Sequence, residues 1–195
     1  MTNKTPDSEI GYPDERQSRS PYTLRQQCAR LLWWAGELFL FKLSPRPMYT
    51  WRRLVLRAYG AKLDSHVYIS RRAKIEFPWN LRMESHTCLG DNVWVYNLAP
   101  VTINAYATIS QGVTFCTGSH DYTRADMQQT RAPITIGRGA WIAMNTFILP
   151  GVTIGQHAVI GACSVVTKDM PEGMVCAGHP CTPIKARLPD PSTTA

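Results

Sequence analysis

The sequence predicts an all-β fold, a single-stranded parallel β-helix, on three observations. Aliphatic residues recur with a period of six, turn-forming residues follow at short intervals, and one internal stretch leaves the period. The chain has 195 residues, 44% of them hydrophobic and 18% charged, which suffices for one domain with a buried core. This composition excludes wholesale disorder, and 13 glycines are too few for a collagen helix.

The six-residue period is clearest in the C-terminal half of the chain. Its aliphatic positions are Ile136, Ile142, Ile148, Ile154, Ile160 and Val166. Small or uncharged residues follow four positions later, at Ala140, Thr146, Val152, Ala158, Ser164 and Met170. Glycine follows the aliphatic residue at Gly137, Gly155 and Gly161, where we expect tight corners. Three repeats make one triangular coil of about 18 residues, and each side is a short strand paired with the neighbouring coils.

The same period runs earlier in the chain, with two spacings of eight. The earlier groups are Leu63, Ile69 and Ile75, then Met83, Leu89 and Val95, then Ile103, Ile109 and Phe115. Five groups of three predict about five stacked coils. An ordinary sheet protein is the alternative, because six is a multiple of the strand period of two. Closely spaced turns such as Pro150-Gly151 disfavour its long flat strands.

The N-terminal segment predicts a helical cap on the first coil. Two short helices, 22–43 and 46–59, are separated by Ser44-Pro45-Arg46-Pro47, which ends a helix. The expected parts of the chain are a disordered or poorly packed tail at 1–20, a helical segment at 21–60, the β-helix at 61–187 with a loop at 116–133, and a flexible tail at 188–195.

The positive charge is concentrated in the N-terminal segment. Residues 1–60 carry ten Lys or Arg against five Asp or Glu, so +5 of the net +7 lies there. Apolar residues accompany this charge at Leu31, Leu32, Trp33, Trp34, Leu38, Phe39 and Phe41. The favoured interpretation is a helix packed on the main domain with a solvated basic face, and the alternative is contact with an anionic membrane surface. No basic stripe or aromatic platform indicates nucleic-acid binding.

Cysteine spacing and the polar N-terminal stretch predict a cytoplasmic protein, with the inner face of the membrane as the open alternative. No cysteine pair has zinc-knuckle spacing, and we expect reduced thiols that mostly serve packing. The first 20 residues are polar, so we expect no secretory signal. The longest apolar stretch, residues 31–41, is too short for a membrane crossing, which needs about 20 residues.

The period stops between Phe115 and Ile134, where CTGSHDYTRADMQQTRAP fits no six-residue register. This stretch must leave the coil as a loop, and loops on a rigid scaffold often carry function. It contains Ser119, His120 and Asp121.

Several motifs make the sequence recognisable. The stretch ITIGRGAWIAMNTFILPGVTIGQHAVIGACSVVTKDMPEGMVCAGHPCTPIK resembles the C-terminal half of the hexapeptide-repeat acetyltransferases. The motifs IEFPWN, VWVYNLAP, ISQG and CTGSHDY are similar to the colanic-acid-biosynthesis acetyltransferases, which modify sugars of an exopolysaccharide. The resemblance implies a left-handed β-helix, acetyl-CoA as the donor without a metal, and a homotrimer with active sites between adjacent subunits.

The resemblance also assigns the acceptor side of the site. His120, in TGSHD, matches the general base that takes the proton of the sugar hydroxyl. Backbone N–H groups near Ser119 are candidates to stabilise the tetrahedral intermediate, and Asp121 is a candidate to orient His120. Asn97, in YNLAP, lies at or next to the position where the relatives carry an acidic residue that contacts the acceptor. Its amide is therefore a candidate to bind the acceptor, and a corner turn is its alternative role. Direct transfer in a ternary complex requires no nucleophile, so Cys116 is not assigned one.

On the donor side, the resemblance assigns residues that line the acetyl-CoA groove. Trp141 flanks the site, Ala143 and Met144 line it, and Gly161 and Ala162 allow close approach of the pantetheine arm. Thr167, Lys168 and Lys185 match the residues that hold the phosphate end. Thr182 stands where relatives often carry arginine.

Three rival functions share the coil. A γ-class carbonic anhydrase would need two histidines five positions apart, a spacing that is absent among the five histidines of the sequence. A non-catalytic assembly subunit would keep the repeats but would not need TGSHD together with VTKDMP. A xenobiotic or free-sugar acetyltransferase remains an alternative, because the sequence leaves the acceptor open.

Overall fold

A computed structural model describes residues 22–187, and the expected tails at 1–20 and 188–195 lie outside these residues. Two helices lead into a stack of short strands that form three sheets. Sheet A contains β1 (Lys62–Leu63), β4 (Leu81–Met83), β7 (Val101–Ile103), β12 (Ile134–Ile136) and β15 (Thr153–Ile154). Sheet B contains β2 (Tyr68–Ile69), β5 (Cys88–Leu89), β8 (Thr108–Ile109), β13 (Trp141–Ile142), β16 (Val159–Ile160), β18 (Met174–Gly178) and β19 (Cys181–Ala186). Sheet C contains β3 (Lys74–Ile75), β6 (Trp94–Tyr96), β9 (Thr114–Cys116), β14 (Phe147–Ile148) and β17 (Val165–Val166).

Three columns of buried side chains run through the stack and confirm the predicted period. In sheet A the paired inward residues are Leu63, Met83, Ile103, Ile136 and Ile154. In sheet B they are Ile69, Leu89, Ile109, Ile142, Ile160 and Cys176. In sheet C they are Ile75, Val95, Phe115, Ile148 and Val166. Each is at most 6% exposed, so every coil buries its apolar side against its neighbours.

The stack has about six turns, whereas the sequence predicts about five. Five coils are complete, and a sixth begins where Met170 bridges to Ile154 and β18 pairs with β16. The last corner is short: Met170 follows Val166 by four residues and takes the next inward position. The six-residue period therefore ends one turn before the fold does.

The glycines that follow the inward aliphatic residues allow close approach of the neighbouring coil rather than form the turns. A Cβ on Gly137 would lie 2.5 Å from the backbone nitrogen of Gln156, and a Cβ on Gly155 would meet the backbone of Glu172 as closely. The left-handed turn residue comes two positions later, at Gly139 (φ 65°) and His157 (φ 56°). A side chain at Gly137 or Gly155 would thus push neighbouring coils apart.

Both spacings of eight fall at the corner between sheets C and A. On the first coil the additional residues form a short 3₁₀ turn, Pro78–Asn80. On the second coil the additional residues include Leu98 and Ala99, and the N–H of Ala99 donates to the hydroxyl of Thr117 on the third coil (2.9 Å). The third coil opens at the same corner into the loop. The loop therefore rises from a corner that is already widened below it.

The N-terminal segment contains two helical stretches, which lie within the predicted ranges 22–43 and 46–59. Helix α1 (Leu24–Gly36) begins with a capping box, in which Thr23 and Gln26 bond to each other's backbone. It continues into a π-helical turn, Glu37–Lys42, and α2 follows at Tyr49–Ala58. Within the described residues, neither helix has the length and apolar character needed to span a bilayer.

The helices close the open end of the first coil with side-chain N–H groups. On later coils the carbonyl of the inward residue accepts a hydrogen bond from the preceding coil. The first coil has no preceding coil, so side-chain N–H groups of the helices donate to its inward carbonyls instead. The bonds are Arg57 Nε to Leu63 O (2.9 Å), Arg52 Nε to Ile69 O (2.7 Å) and Trp33 Nε1 to Ile75 O (2.6 Å). One inward carbonyl on each side of the prism is thereby satisfied away from water.

The apolar side of α1 and of the π-helical turn that continues it packs on the coil only in part, which differs from the favoured expectation. Trp33 and Phe41 are fully buried. The remaining apolar residues named in the sequence are 50% or more exposed: Leu31, Leu32, Trp34, Leu38 and Phe39. Contact with the coil end thus uses a narrow stripe around Trp33 and leaves most of the leucines outside.

The cysteines are all free thiols, and only part of them serve packing as expected. Cys176 and Cys181 are buried, and burial raises the pKa of both thiols above its ordinary value. Cys28 and Cys163 are exposed.

We predict that Arg52→Leu lowers the free energy of unfolding by roughly 3 kcal/mol or more, because it removes a buried charge-assisted donor to several acceptors. Arg52 is 1% exposed and also donates to the carbonyls of Pro45 (2.8 Å) and Arg46 (2.7 Å). Arg53→Leu is the matched control, since Arg53 makes one long bond, to Thr50 (3.4 Å). Denaturant unfolding measures both variants, and equal stabilities would contradict the proposed cap.

Candidate active site

The loop folds into a hairpin that stands on the corner between sheets C and A. Its strands are β10 (Gly118–His120) and β11 (Gln129–Arg131), paired antiparallel. The root is tight, because a Cβ on Gly118 would lie 2.5 Å from Cδ1 of Leu98 on the coil below. Glycine at this position therefore lets the hairpin rest directly on the widened corner.

The His120 ring is held by a backbone carbonyl within the hairpin. Its Nδ1 lies 2.6 Å from the carbonyl oxygen of Met127, and its side chain is exposed to solvent. A carbonyl oxygen only accepts, so the bond places the hydrogen on Nδ1 and leaves the lone pair on Nε2. Nε2 is thus the nitrogen that can take a proton from an approaching hydroxyl.

Asp121 and Ser119 make bonds within the hairpin. The Asp121 carboxylate accepts from the backbone N–H (3.0 Å) and hydroxyl (2.6 Å) of Thr123, and these bonds hold the pKa of the carboxyl below its ordinary value. The carbonyl of Met127, rather than Asp121, is therefore the group bonded to His120 in residues 22–187. Ser119 pairs with Thr130 on the opposite strand of the hairpin. The alternating hydrogen bonds of an antiparallel pair direct the backbone N–H of Ser119 toward that strand, and its side chain is exposed to solvent.

Asn97 is buried at the widened corner. Its Oδ1 accepts from the backbone N–H of Phe77 (3.0 Å), and its Nδ2 donates to the carbonyl of Phe77 (2.8 Å). Both ends of the amide are thus bonded to the coil below, as in the corner role that the sequence left open. An acceptor at Asn97 would compete with these two bonds.

The residues matched to the donor groove form two groups. Most lie on sheet B and its corner with sheet C, on two neighbouring coils: Trp141, Ala143, Met144, Gly161 and Ala162. Trp141 is 47% exposed, and its indole N–H donates to Ser110 (3.0 Å), which holds the ring against the sheet. Thr167 and Lys168 follow β17 at the corner between sheets C and A, and Lys185 lies on β19. All three of these side chains are exposed.

One chain does not bring His120 together with the first group. The hairpin leaves the prism at the corner between sheets C and A, whereas Ala143 and Gly161 lie at the corner between sheets B and C. A cavity of about 300 Å³ lies elsewhere, beside the helical cap between Arg46, Tyr68 and Asp91. His120 and the first group therefore lie at different corners of one chain.

The other histidines serve the corners and the C-terminal turn. His66, His86 and His157 occupy left-handed positions between sheets A and B. The rings of His66 and His86 stack at 4.9 Å, close to the spacing between coils. His179 is exposed beyond β18. Within residues 22–187, no three His, Cys, Asp or Glu side chains form a cluster that could hold a metal ion.

The sequence did not reveal two features that position His120. The Met127 carbonyl has no signature in the sequence, because any residue supplies a carbonyl. Gly118 was visible in TGSHD, but its contact with Leu98 depends on the widened corner.

Comparison with known sequences gives a consistent result. Residues 133–168 match the family model described as bacterial transferase hexapeptide (six repeats). The chain is 41% identical over 157 residues to a protein of Escherichia coli (strain K12) named as a colanic acid biosynthesis acetyltransferase, WcaF, covering 80% of this chain and 86% of that one. It is 33% identical over 137 residues to the galactoside O-acetyltransferase of the same organism, covering 69% and 68%.

Solved structures agree in fold. A hexapeptide-repeat acetyltransferase from Vibrio cholerae, VCA0836, complexed with acetyl coenzyme A, superposes with a TM-score of 0.78 at 26% identity, covering 87% of this chain and 93% of that one. A galactoside acetyltransferase in complex with coenzyme A gives a TM-score of 0.76 at 26% identity, covering 87% and 86%. These matches confirm the expected left-handed β-helix.

We predict that the neutral His120 ring carries its hydrogen on Nδ1, because the Met127 carbonyl bonds that atom and disfavours the Nε2–H form that a free histidine side chain prefers. Nitrogen NMR of the histidine rings at alkaline pH measures the tautomer, and exposed His179 serves as the internal reference. A dominant Nε2–H form at His120 would contradict the assigned geometry.

Proposed function

Because the chain belongs to the hexapeptide-repeat acetyltransferases, we propose that it moves acetyl from acetyl-CoA to a hydroxyl of a sugar in exopolysaccharide biosynthesis. The observation that carries this proposal is His120, whose Nε2 lone pair is exposed on the hairpin while Nδ1 is bonded to Met127. The identity to WcaF over most of both chains supports a colanic-acid-like saccharide as the class of acceptor.

The proposed reaction needs one proton carrier. His120 Nε2 takes the proton of the sugar hydroxyl as the oxygen attacks the thioester carbonyl carbon. The tetrahedral intermediate collapses with cleavage of the carbon–sulfur bond, and the thiolate takes the proton back from the imidazolium. The products are the acetyl ester and free CoA, and the histidine returns to its neutral form. The Met127 carbonyl stabilises the imidazolium through its bond to Nδ1.

The residues matched to the donor groove bind acetyl-CoA and hold it in place. The exposed face of Trp141 offers a wall for the pantetheine arm, and Gly161 leaves the backbone open to it. Exposed Lys168 and Lys185 pair with the phosphates at the far end. Thr182 in place of arginine makes the charge at this end smaller than in relatives that carry arginine there.

The assembly in this proposal is a homotrimer with a site at each interface. Sheets B and C present large apolar side chains outward: Tyr68, Trp94, Trp141 and Phe147, between 39% and 48% exposed. Sheet A presents mainly polar and charged ones: Lys62, Arg82, Thr102, Thr135 and Thr153. Packing of sheet B of one copy near sheet C of the next would bury the apolar faces and bring His120 to the neighbour's donor groove.

The proposed place of work is the cytoplasm, at the inner face of the membrane. A polysaccharide repeat unit that is built on a lipid carrier keeps its sugars at that surface. A free sugar or a xenobiotic acceptor remains the alternative, and a panel of acceptors separates the two.

We predict that His120→Ala lowers turnover by roughly 100-fold or more, because it removes the general base. Thiol release from acetyl-CoA is followed with a panel of sugars and lipid-linked oligosaccharides. The KM for acetyl-CoA should change little, since His120 acts on the acceptor.

His157→Asn is the control for this experiment, because asparagine tolerates the left-handed backbone of this exposed corner. Its turnover should match that of the wild type. Undiminished turnover in His120→Ala would move proton removal to another group and end the assignment.

A further inference from the structure

The N-terminal helix presents an apolar stripe to solvent. The stripe consists of Leu31, Leu32, Leu38, Phe39 and Leu43, which are between 53% and 68% exposed. Single exposed leucines are ordinary on protein surfaces, but a contiguous apolar stripe marks a surface that binds a partner. We call these five residues the outer stripe.

The outer stripe faces away from the end of the β-helix. The opposite side of the same helix carries Trp33, which bonds the first coil, and Phe41, which packs against Trp33. The helix therefore directs its broader apolar side toward solvent and packs on the coil through a narrower side. A surface helix of a globular protein normally turns that side to the core.

Cations accompany the outer stripe. Residues 22–60 contain seven Arg or Lys and one acidic residue, Glu37, whose carboxylate already pairs with Lys42 (3.2 Å). Arg25 is exposed seven residues before Leu32, on the same face of the helix. Lys42 follows Leu38 by four residues, so it also lies beside the stripe. An apolar stripe flanked by Lys and Arg is the pattern of helices that lie in the interface of an anionic bilayer.

We propose that the helical cap docks this protein on an anionic phospholipid bilayer, with the outer stripe in the headgroup boundary and Arg25 and Lys42 against the lipid phosphates. The inference rests on the proposed function only in explaining why the protein would dock, which is to reach an acceptor carried by a lipid. Charge complementarity favours a bilayer over a second copy of the chain, whose cap would carry the same positive charge.

The position of the cap strengthens this inference. The helices cover the end of the prism, whereas lateral contacts between copies would use the outward faces of sheets B and C. In the proposed trimer, three caps would face the same side and bind one surface together. The cap also reaches the catalytic hairpin, since the Arg131 guanidinium lies 5.3 Å from the Tyr22 ring. Docking would thus hold the hairpin close to the bilayer.

Vesicle flotation of the full chain tests the proposal. The wild type should float with phosphatidylcholine vesicles that contain phosphatidylglycerol and stay behind with phosphatidylcholine alone. Leu31→Ser/Phe39→Ser should weaken binding by about tenfold or more through lost apolar contact, and Arg25→Gln/Lys42→Gln should weaken it most at low salt. Ile184→Ser is the matched control, because it removes an exposed apolar side chain at the opposite end of the prism. The unfolding temperature of Leu31→Ser/Phe39→Ser should stay unchanged, since both side chains are exposed.

Two results would overturn the proposal. The first is equal or negligible flotation of wild type and stripe variants. The second is a loss of oligomer mass in the stripe variants without vesicle binding by the wild type, which would assign the stripe to contact between copies. Thiol release with a water-soluble acceptor is measured in parallel. Retained transfer without flotation ends this inference alone, whereas absent transfer in the wild type ends the proposed function.

Discussion

The architecture depends on backbone hydrogen bonds between successive coils. The inward residue of each strand directs its carbonyl to the preceding coil, so its side chain and its backbone are satisfied by the same neighbour. The inward carbonyls are therefore satisfied in the middle of the stack, whereas those of the first coil have no preceding coil to donate to them. Trp33, Arg52 and Arg57 close that end with one N–H group for each side of the prism. The helices are therefore part of the β-helix's hydrogen bonding and not an appendage.

The same constraint decides where chemistry can sit. A strand cannot bulge outward without breaking bonds to two coils, so an excursion must start at a corner. The corner between sheets C and A is widened on two coils by the turn at Pro78–Asn80 and by the residues around Asn97, and the hairpin rises from it on the third. The hairpin then supplies its own bond from Met127 to His120. The His120 ring is thus held by a backbone carbonyl, while the residues proposed to bind the donor lie at another corner.

Much of the fold could be predicted because its residues obey one period. Ile136 to Val166 occupy inward positions as predicted, and the loop lies where the period stops. The sixth turn was missed because Met170 follows Val166 after four residues, so the signal was absent from the sequence. The exposure of the outer stripe differs from the favoured expectation, since apolar periodicity gives the width of a helix face but not the partner that covers it. The role of Asn97 at the corner depended on contact with Phe77, twenty positions away in sequence.

The central claim is that each site combines His120 of one copy with the donor groove of the next. Complementation tests it directly: His120→Ala chains are co-assembled at random with Ala162→Trp chains, in which the groove is blocked. With equal amounts of the two, a quarter of the shared sites would pair an intact histidine with an intact groove, so about one quarter of wild-type activity should return. Activity no higher than that of either variant alone would show that both halves of the site belong to one chain.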